Sequence, residues 1–283
     1  MTAQALSVYS LWGATSLYVI SMLGYAFHAA RVADARGRSV DVPTSSRSLG
    51  IGRATVIVGA VLHLVGVVAR GVEAGHVPWS SMYEYTITGS LVVIAVFLVL
   101  ARRRDAHFLG AFATGIASLS LGLALPLLYS ASDQLQPALQ SYWLVVHVSI
   151  AILATGIFAI GFAVTVIQLL RRSPRLNFAP PEEELEAMAF RLHAFGFVLW
   201  TFTVIAGAIW ANEAWGRPWG WDPKEVWSFV IWALYAGYLH ARTTRGWAGR
   251  RAAWLSVAGF AALIINFTVV NLVIQGLHSY AGV

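Results

Sequence analysis

Runs of about 20 apolar residues, the length needed to cross a bilayer, recur along this chain. They lie at approximately residues 7–30, 50–70, 84–101, 107–128, 143–170, 191–211, 224–241 and 252–275. Only 11% of the residues are charged, which is typical of a membrane protein rather than a soluble domain. The sequence therefore predicts an all-α, polytopic integral membrane protein with about eight transmembrane helices. We expect one membrane domain over residues 1–283, with N-terminal helices within 1–140 and a functional core within 141–283.

Basic residues are concentrated in every second connection between these runs. Of the 19 Lys and Arg residues, those in such connections are Arg31, Arg36, Arg38, Arg47, Arg53, Arg102, Arg103, Arg104, Arg171, Arg172, Arg175, Arg191, Arg242, Arg245, Arg250 and Arg251. The positive-inside rule places these connections in the cytoplasm. Both termini are therefore expected on the outer side, as are Arg70, Arg217 and Lys224. The asymmetry accounts for the net charge of +6 without a nucleic acid partner.

The sequence contains no cysteine. This excludes a disulfide framework, a thiolate metal site and a C-x-x-C redox pair, so any thiol chemistry must come from a partner. No connection is long enough for a soluble domain of ordinary size. The N-terminal run lacks the positively charged start of a cleavable signal, so we expect it to remain as a helix. Function is therefore expected within the membrane or on its outer face.

Tryptophan is concentrated in the stretch WANEAWGRPWGWDPKEVWSFVIW, residues 210–232, which holds six of the twelve tryptophans. Tryptophan is enriched at membrane interfaces, and this simpler explanation covers any one of these rings. An interfacial belt, however, usually places only one or two rings at a helix end. The density predicts a flat aromatic surface for a planar apolar ligand on a loop at residues 210–227.

The sequence DPKE predicts the start of a helix directly after these tryptophans. Asp222 suits the N-cap, Pro223 the first helical position, and Glu225 the third position of a capping box. Capping is thus a complete structural explanation for Asp222. The free amide groups of such a helix start also favour anionic ligands beside the tryptophan-rich loop.

Two histidines flank this loop on the predicted outer side, and a third lies deeper. His147 follows Trp143 by one turn of the fifth run, and His278 follows the last run. His240 lies 13 residues beyond Trp227, which is roughly 20 Å deeper along a helix. Neutral imidazole is the commonest protein ligand for haem iron, so the pattern favours a haem site. Alternatively, His147 and His278 are interfacial polar caps, and His240 snorkels to the membrane surface.

A porphyrin also needs aromatic contact for its plane and cationic or N–H donors for its propionates. Arg217, Lys224 and the predicted helix start are candidates for the second requirement. Among the remaining histidines, we expect His63 to be a satisfied interior residue. His28, His107 and His193 are expected at cytoplasmic helix ends. His76 and Glu84 are the notable polar residues of the first outer connection, and the sequence assigns no role to His63 or His76.

The tryptophan-rich stretch resembles the WWD signature of haem-handling membrane proteins. Over nearly its whole length the chain is similar to the CcsA (ResC) family, a subunit of the system II cytochrome c synthetase. The segments that carry the resemblance include GHVPWSSMYEY, SYWLVVHV, YLHAR and GLHSYAG. The chain departs from the family pattern at Gly220, where a small polar residue is often found, and at Arg217.

The resemblance implies a subunit of a holocytochrome c synthetase that carries haem b as its substrate. The loop would hold haem on the extracytoplasmic face of a cell membrane or thylakoid-type membrane, with His147 and His278 as axial ligands. His240 would hold haem in transit. The implied loop residues are Trp215, Trp219, Trp221, Asp222 and Trp227. The implied partners are a CcsB (ResB) type membrane protein, apocytochrome c with its CXXCH motif, and a thioredoxin-like thiol reductant.

Two other haem functions remain as alternatives. A haem exporter of the CcmC type shares the tryptophan-rich loop and its flanking histidines, although eight spans and GHVPWSSMYEY fit CcsA better. A cytochrome b-like electron-transfer subunit needs histidine pairs that face each other at two depths. This sequence lacks such pairs. A cofactor-free membrane protein with a heavy aromatic belt is the third alternative.

Overall fold

The structure is a computed structural model that describes residues 2–41, 45–103, 106–130, 137–244, 247 and 249–278. Within these ranges the regular structure is helical, with no strand, which confirms the all-α prediction. The α-helices are α1 (Ala3–Gly37), α2 (Arg47–Ala74), α3 (Met82–Arg103), α4 (Gly110–Leu123), α5 (Tyr142–Leu170), α6 (Glu182–Trp215), α7 (Pro223–Thr243), α8 (Arg250–Phe267) and α9 (Val269–Leu272).

Seven helical segments of the described chain are long and apolar enough to cross a membrane. They are α1, α2, α3, α4 extended to His107–Leu128, α5, α6, and α8 continued by α9 as Arg250–Leu272. The eighth predicted span, 224–241, is α7, a helix of 21 residues. It is less apolar because tryptophan, tyrosine and charged residues occupy much of its length. The chain is thus a multi-pass membrane protein. Arg104 and Arg245 of the predicted cytoplasmic set lie outside the described residues.

The first two helices pack closely because small residues line their contact. A Cβ atom added to Gly24 would lie 2.8 Å from the carbonyl oxygen of Ser48 and 2.9 Å from the amide nitrogen of Gly52. Such distances are shorter than real Cβ contacts, so only glycine allows the two backbones to approach this far. Close backbone approach is a common way to associate helices where apolar lipid provides little driving force.

Helix α5 is the central helix, and 72% of its most apolar 18-residue stretch is buried against other helices. One face, which includes Ile160 and Val164, packs into a core built mainly by α1–α4. The opposite face packs into a second core built by α6, α7 and α8. In that second core, the ring of Phe158 stacks on Tyr235 at 3.8 Å between centroids. Because α5 belongs to both cores, residues on it have well-defined positions.

The expectation for His63 is confirmed, since its ring is buried and both nitrogens are bonded. Its Nε2 lies 2.8 Å from the carbonyl oxygen of Ile87, and its Nδ1 lies 3.2 Å from the hydroxyl of Tyr18. The carbonyl accepts from Nε2–H, and the hydroxyl donates to Nδ1. His63 therefore connects α1, α2 and α3 as a structural residue.

The expectation for His193 was wrong, because this residue is buried rather than interfacial. Its Nε2 lies 3.1 Å from the hydroxyl oxygen of Thr165, and its ring contacts Phe158 and Tyr235. A Cβ atom on Gly161 would lie 2.7 Å from the ring. The absent side chain at position 161 creates the space for the imidazole, and position along the chain alone does not reveal this.

A buried ion pair holds the connection between α2 and α3. Arg70 Nε lies 2.9 Å from Glu84 Oε1, and their side chains are 2% and 1% exposed. The other carboxylate oxygen accepts bonds from the amide and the hydroxyl of Ser80, at 3.0 and 2.8 Å. Glu84 therefore joins the end of α2 to the residues that enter α3.

We predict that Glu84→Ala lowers the free energy of unfolding by about 1.5–3 kcal/mol, because it removes a charge-assisted hydrogen bond from buried Arg70 and leaves only Glu73 of the described residues, at 3.6 Å, to pair with it. The matched control is Asp34→Ala, which breaks an ion pair with Arg38. The side chains of Arg38 and Asp34 are 73% and 61% exposed. Exposed pairs contribute about 0–1 kcal/mol. Thermal unfolding in detergent measures both changes, and equal shifts for the two variants would contradict the structural role of the buried pair.

Candidate functional site

An open cavity with about 1220 Å³ of empty space lies at the end of the bundle where α5 and α7 begin and α6 ends. This space includes open solvent at the cavity mouth. The lining combines aromatic residues with a few polar ones. Its aromatic residues and histidines are Trp79, Tyr85, His147, Trp200, Trp210, Trp215, Trp219, Phe267 and His278.

The tryptophan-rich loop is shorter than the predicted range 210–227. Helix α6 continues to Trp215, and α7 begins at Pro223, so the loop comprises residues 216–222. Helix α6 ends at Gly216, which adopts a left-handed φ of 70° and donates its N–H to the carbonyl of Asn212. The prediction placed the helix end where the apolar run stops, whereas the glycine determines it. Trp210 and Trp215 are therefore helical.

The predicted capping box at the start of α7 is confirmed. Asp222 accepts from the amide of Lys224 at 3.1 Å, and Glu225 Oε2 accepts from the amides of Gly220 and Asp222 at 2.8 and 3.0 Å. Two amides that flank Trp221 thus converge on one carboxylate oxygen. Trp221 adopts a φ of 60°, which is uncommon for a residue with a side chain. This residue is 76% exposed and does not line the cavity.

Arg217 and Gly220, the two positions where the sequence departs from the pattern it resembles, lie against each other. A Cβ atom on Gly220 would lie 0.9 Å from Nη1 of Arg217, so the guanidinium occupies the space that a side chain at 220 would fill. Arg217 does not line the cavity, whereas Lys224 does. The structure therefore separates the two cations that the sequence offered for an anionic ligand.

His147 lies in the second turn of α5 and lines the cavity. Its Nδ1 is 2.9 Å from the carbonyl oxygen of Thr203 in α6, and a carbonyl can only accept. Nδ1 is therefore the protonated nitrogen, and Nε2 carries the lone pair that can bind a metal. The ring is nearly parallel to that of Trp210, with centroids 6.0 Å apart.

His278 follows α9 and reaches the same cavity from the C-terminal segment. Its Nδ1 lies 2.8 Å from Asp222 Oδ1, so this nitrogen is also paired with an acceptor. Its ring centroid is 5.6 Å from that of Trp210 and 5.0 Å from that of Trp215. Because both imidazoles lie within 6.0 Å of Trp210, their centroids cannot be further apart than twice that distance.

Asp222 does more than cap α7. Burial raises its pKa, but hydrogen bonds from His278 and from the amide of Leu277 outweigh this and lower the pKa of Asp222 to about 2. The carboxylate is therefore ionised at neutral pH and pairs with the imidazole. Capping was an incomplete explanation, because the contact with His278 joins residues 56 positions apart and leaves no pattern in the local sequence.

Lys224 is a cation inside the cavity wall. Its Nζ contacts the side-chain oxygen of Asn271 and lies 3.5 Å from the carbonyl oxygen of Asn266. Among the residues that the structure describes, no carboxylate forms an ion pair with it. The side-chain oxygen of Asn266 is buried and lacks a hydrogen-bond partner. Lys224 therefore suits an anionic group on a bound ligand, whereas the Asn266 oxygen, an acceptor, would favour a donor.

The predicted site residues thus fall into two groups. His147, His278, Trp215 and Trp219 line the cavity, and Asp222 lies behind His278. Trp221, Trp227 and His240 do not line it: Trp227 packs against the core of α6–α8, and His240 is exposed near the end of α7. Sequence reasoning missed Trp210 as a wall residue and the part played by residues 79–82. The segment GHVPWSSMYEY was the available signal for that wall.

Comparisons with known proteins identify the family of this chain. The family model described as "Cytochrome C assembly protein" matches residues 79–278. The chain is 35% identical over 254 residues to "Cytochrome c biogenesis protein CcsA" of Prochlorococcus marinus (strain SARG), covering 78% of this chain and 80% of that protein. It is 34% identical over 294 residues to the protein of the same name from Gloeobacter violaceus, covering 82% and 86%.

A solved structure, "Cytochrome c Heme Lyase CcmF", superposes with a TM-score of 0.71 at 19% sequence identity. The match covers 94% of this chain but 47% of CcmF, so this chain spans about half the length of that protein. At this identity the likeness concerns the fold alone. The family model and the CcsA relatives together show that the chain belongs to the CcsA family of cytochrome c biogenesis proteins.

Proposed function

We propose that this protein binds haem b in the cavity between His147 and His278 and presents it on the extracytoplasmic face for attachment to apocytochrome c. One observation carries the proposal: two histidines from distant parts of the chain line one cavity, and each has its Nδ1 paired with an acceptor. Metal-bound histidines usually donate the second ring nitrogen in this way. Nε2 is then the ligand atom on both sides.

The rest of the lining fits a porphyrin. Broad aromatic surface comes from Trp79, Trp200, Trp210, Trp215 and Trp219. Lys224 supplies a cation for a propionate, and no carboxylate of the described residues forms an ion pair with it. Haem is the substrate in this scheme, and the cavity positions it while limiting its contact with water.

The attachment chemistry is divided between the chain and its partners. Each thioether forms when the S–H of an apocytochrome CXXCH motif adds across a vinyl double bond of haem, so no net oxidation takes place. The thiols come from the apocytochrome because this chain has no cysteine, and a thioredoxin-like reductant keeps them reduced. The role of this chain is to fix the porphyrin edge and the iron relative to those thiols.

We assign His240 to a separate inner station for haem in transit. Its side chain is exposed on α7, near the end that carries Arg242, and roughly 20 Å of helix separates it from Trp227. We place the second ligand of this station on another protein. A CcsB-type membrane subunit is the partner that the family relationship suggests.

The decisive experiment uses the double variant His147→Ala/His278→Ala, purified with its CcsB-type partner. We expect loss of most outer-site haem and a changed absorption spectrum, because both iron ligands are removed. The matched control is His76→Ala, which removes a histidine that does not line the cavity. Unchanged haem content and spectrum in the double variant would refute the site. If the wild-type complex binds haem but does not attach it to added apocytochrome, the result would favour the exporter function instead.

Lys224 provides a second test. We expect Lys224→Met to weaken haem binding about 10-fold or more, since a hydrogen bond to a charged group contributes about 1.5–3 kcal/mol. Haem dimethyl ester has no charged propionates, so the wild type and the variant should bind it equally in a spectroscopic titration. Lys224→Arg should retain most of the affinity. Arg217→Met is the matched control, and an equal loss in that variant would contradict the assignment.

For the inner station, we predict that His240→Ala reduces haem loading of the outer cavity in cells that also express the partner. The reason is that haem loses a ligand before it reaches the cavity. Haem added to the purified variant in detergent should still give the wild-type spectrum, because His240 is remote from the cavity. Normal cytochrome c maturation in cells that carry this variant would exclude the role.

A further inference from the structure

Asp222 binds the C-terminal segment as well as the start of α7. Its Oδ1 accepts from the amide of Lys224 and from Nδ1 of His278, and its Oδ2 accepts from the amide of Leu277 at 2.7 Å. A Cβ atom on Gly276 would lie 2.6 Å from that same Oδ2, so the backbone passes directly over the carboxylate. One side chain therefore holds both the ring of His278 and the backbone that carries it.

The two cavity histidines are held in different ways. His147 belongs to a 29-residue helix, and its ring bonds to a carbonyl within α6, so moving it would require moving packed helices. His278 lies on residues 273–278, which follow α9 and are not helical. Val273 and Leu277 on this segment are 74% and 37% exposed, so these side chains add little packing to the bonds at Asp222 that hold the segment. The segment can shift at lower cost than α5 can.

We propose that His278 is the axial ligand that leaves the iron when an incoming ligand arrives, and that Asp222 is the positioning residue that controls how readily it leaves. This inference rests on the proposed haem site and concerns the order of ligand exchange within it. In the exchange, the bond between iron and His278 Nε2 breaks and a bond to the incoming donor atom forms. No electron is transferred. The imidazole of an apocytochrome CXXCH motif is the donor of matching chemistry.

Asp222 controls exchange in two ways. A carboxylate bonded to Nδ1–H increases the basicity of Nε2 and fixes the plane of the ring, so it strengthens the bond to iron. The bond to the Leu277 amide keeps the segment beside the cavity. Without the carboxylate, the ring rotates and the segment moves away. His147 is unaffected, because its acceptor is a backbone carbonyl.

The test is the rate at which carbon monoxide binds reduced haem in the purified, haem-loaded complex with its partner. Carbon monoxide binds only after an axial ligand has left. Asp222→Ser keeps a good N-cap for α7, but its shorter side chain cannot hold His278. Loss of such a partner typically lowers metal affinity roughly 10- to 100-fold, and we expect carbon monoxide binding to be faster in this variant by up to about that factor. Gly276→Ala, which pushes the segment off the carboxylate, should act in the same direction.

Ser141→Ala is the matched control, because Ser141 caps α5, the helix that carries His147. It should leave the rate at the wild-type value. His278→Ala should bind carbon monoxide without a dissociation step, and adding Asp222→Ser to it should cause no further change. The inference would be overturned if Asp222→Ser bound carbon monoxide at the wild-type rate. It would also be overturned if Asp222→Ser accelerated binding equally in the presence and in the absence of His278. Absence of haem from the wild-type complex before carbon monoxide is added would instead refute the site itself.

Discussion

Polar groups within a bilayer must find their partners inside the protein, because hydrocarbon offers no hydrogen bonds. The structure meets this requirement with compact sets of contacts that also fix the positions of helices. Arg70, near the end of α2, pairs with Glu84, near the start of α3, and His63 bonds to groups on α1 and α3. Each set joins elements that apolar packing alone would allow to slide.

The same requirement prepares the cavity for its ligand. An imidazole in a half-buried wall needs an acceptor for its N–H, and Thr203 and Asp222 provide one each. Because Nδ1 of each ring is paired with an acceptor, Nε2 is the remaining ring nitrogen of both histidines. The two acceptors differ, because a backbone carbonyl pairs with His147 and an ionised carboxylate pairs with His278.

Much of the fold could be predicted from local sequence, because the hydrocarbon thickness imposes a length on each helix and DPKE specifies a helix start. The positions of His147 and His278 on one side also followed from counting spans. Contacts between distant residues could not be predicted. His193 is buried because Gly161 leaves space for it, and Asp222 meets His278 because the C-terminal segment folds back. Neither contact produces a periodic pattern.

The contact between Arg217 and Gly220 couples two positions of the loop. A guanidinium can take its present position only when residue 220 lacks a side chain. Any side chain introduced at position 220 would therefore displace Arg217. The conformation of the arginine thus depends on a residue that contributes no side-chain contact of its own.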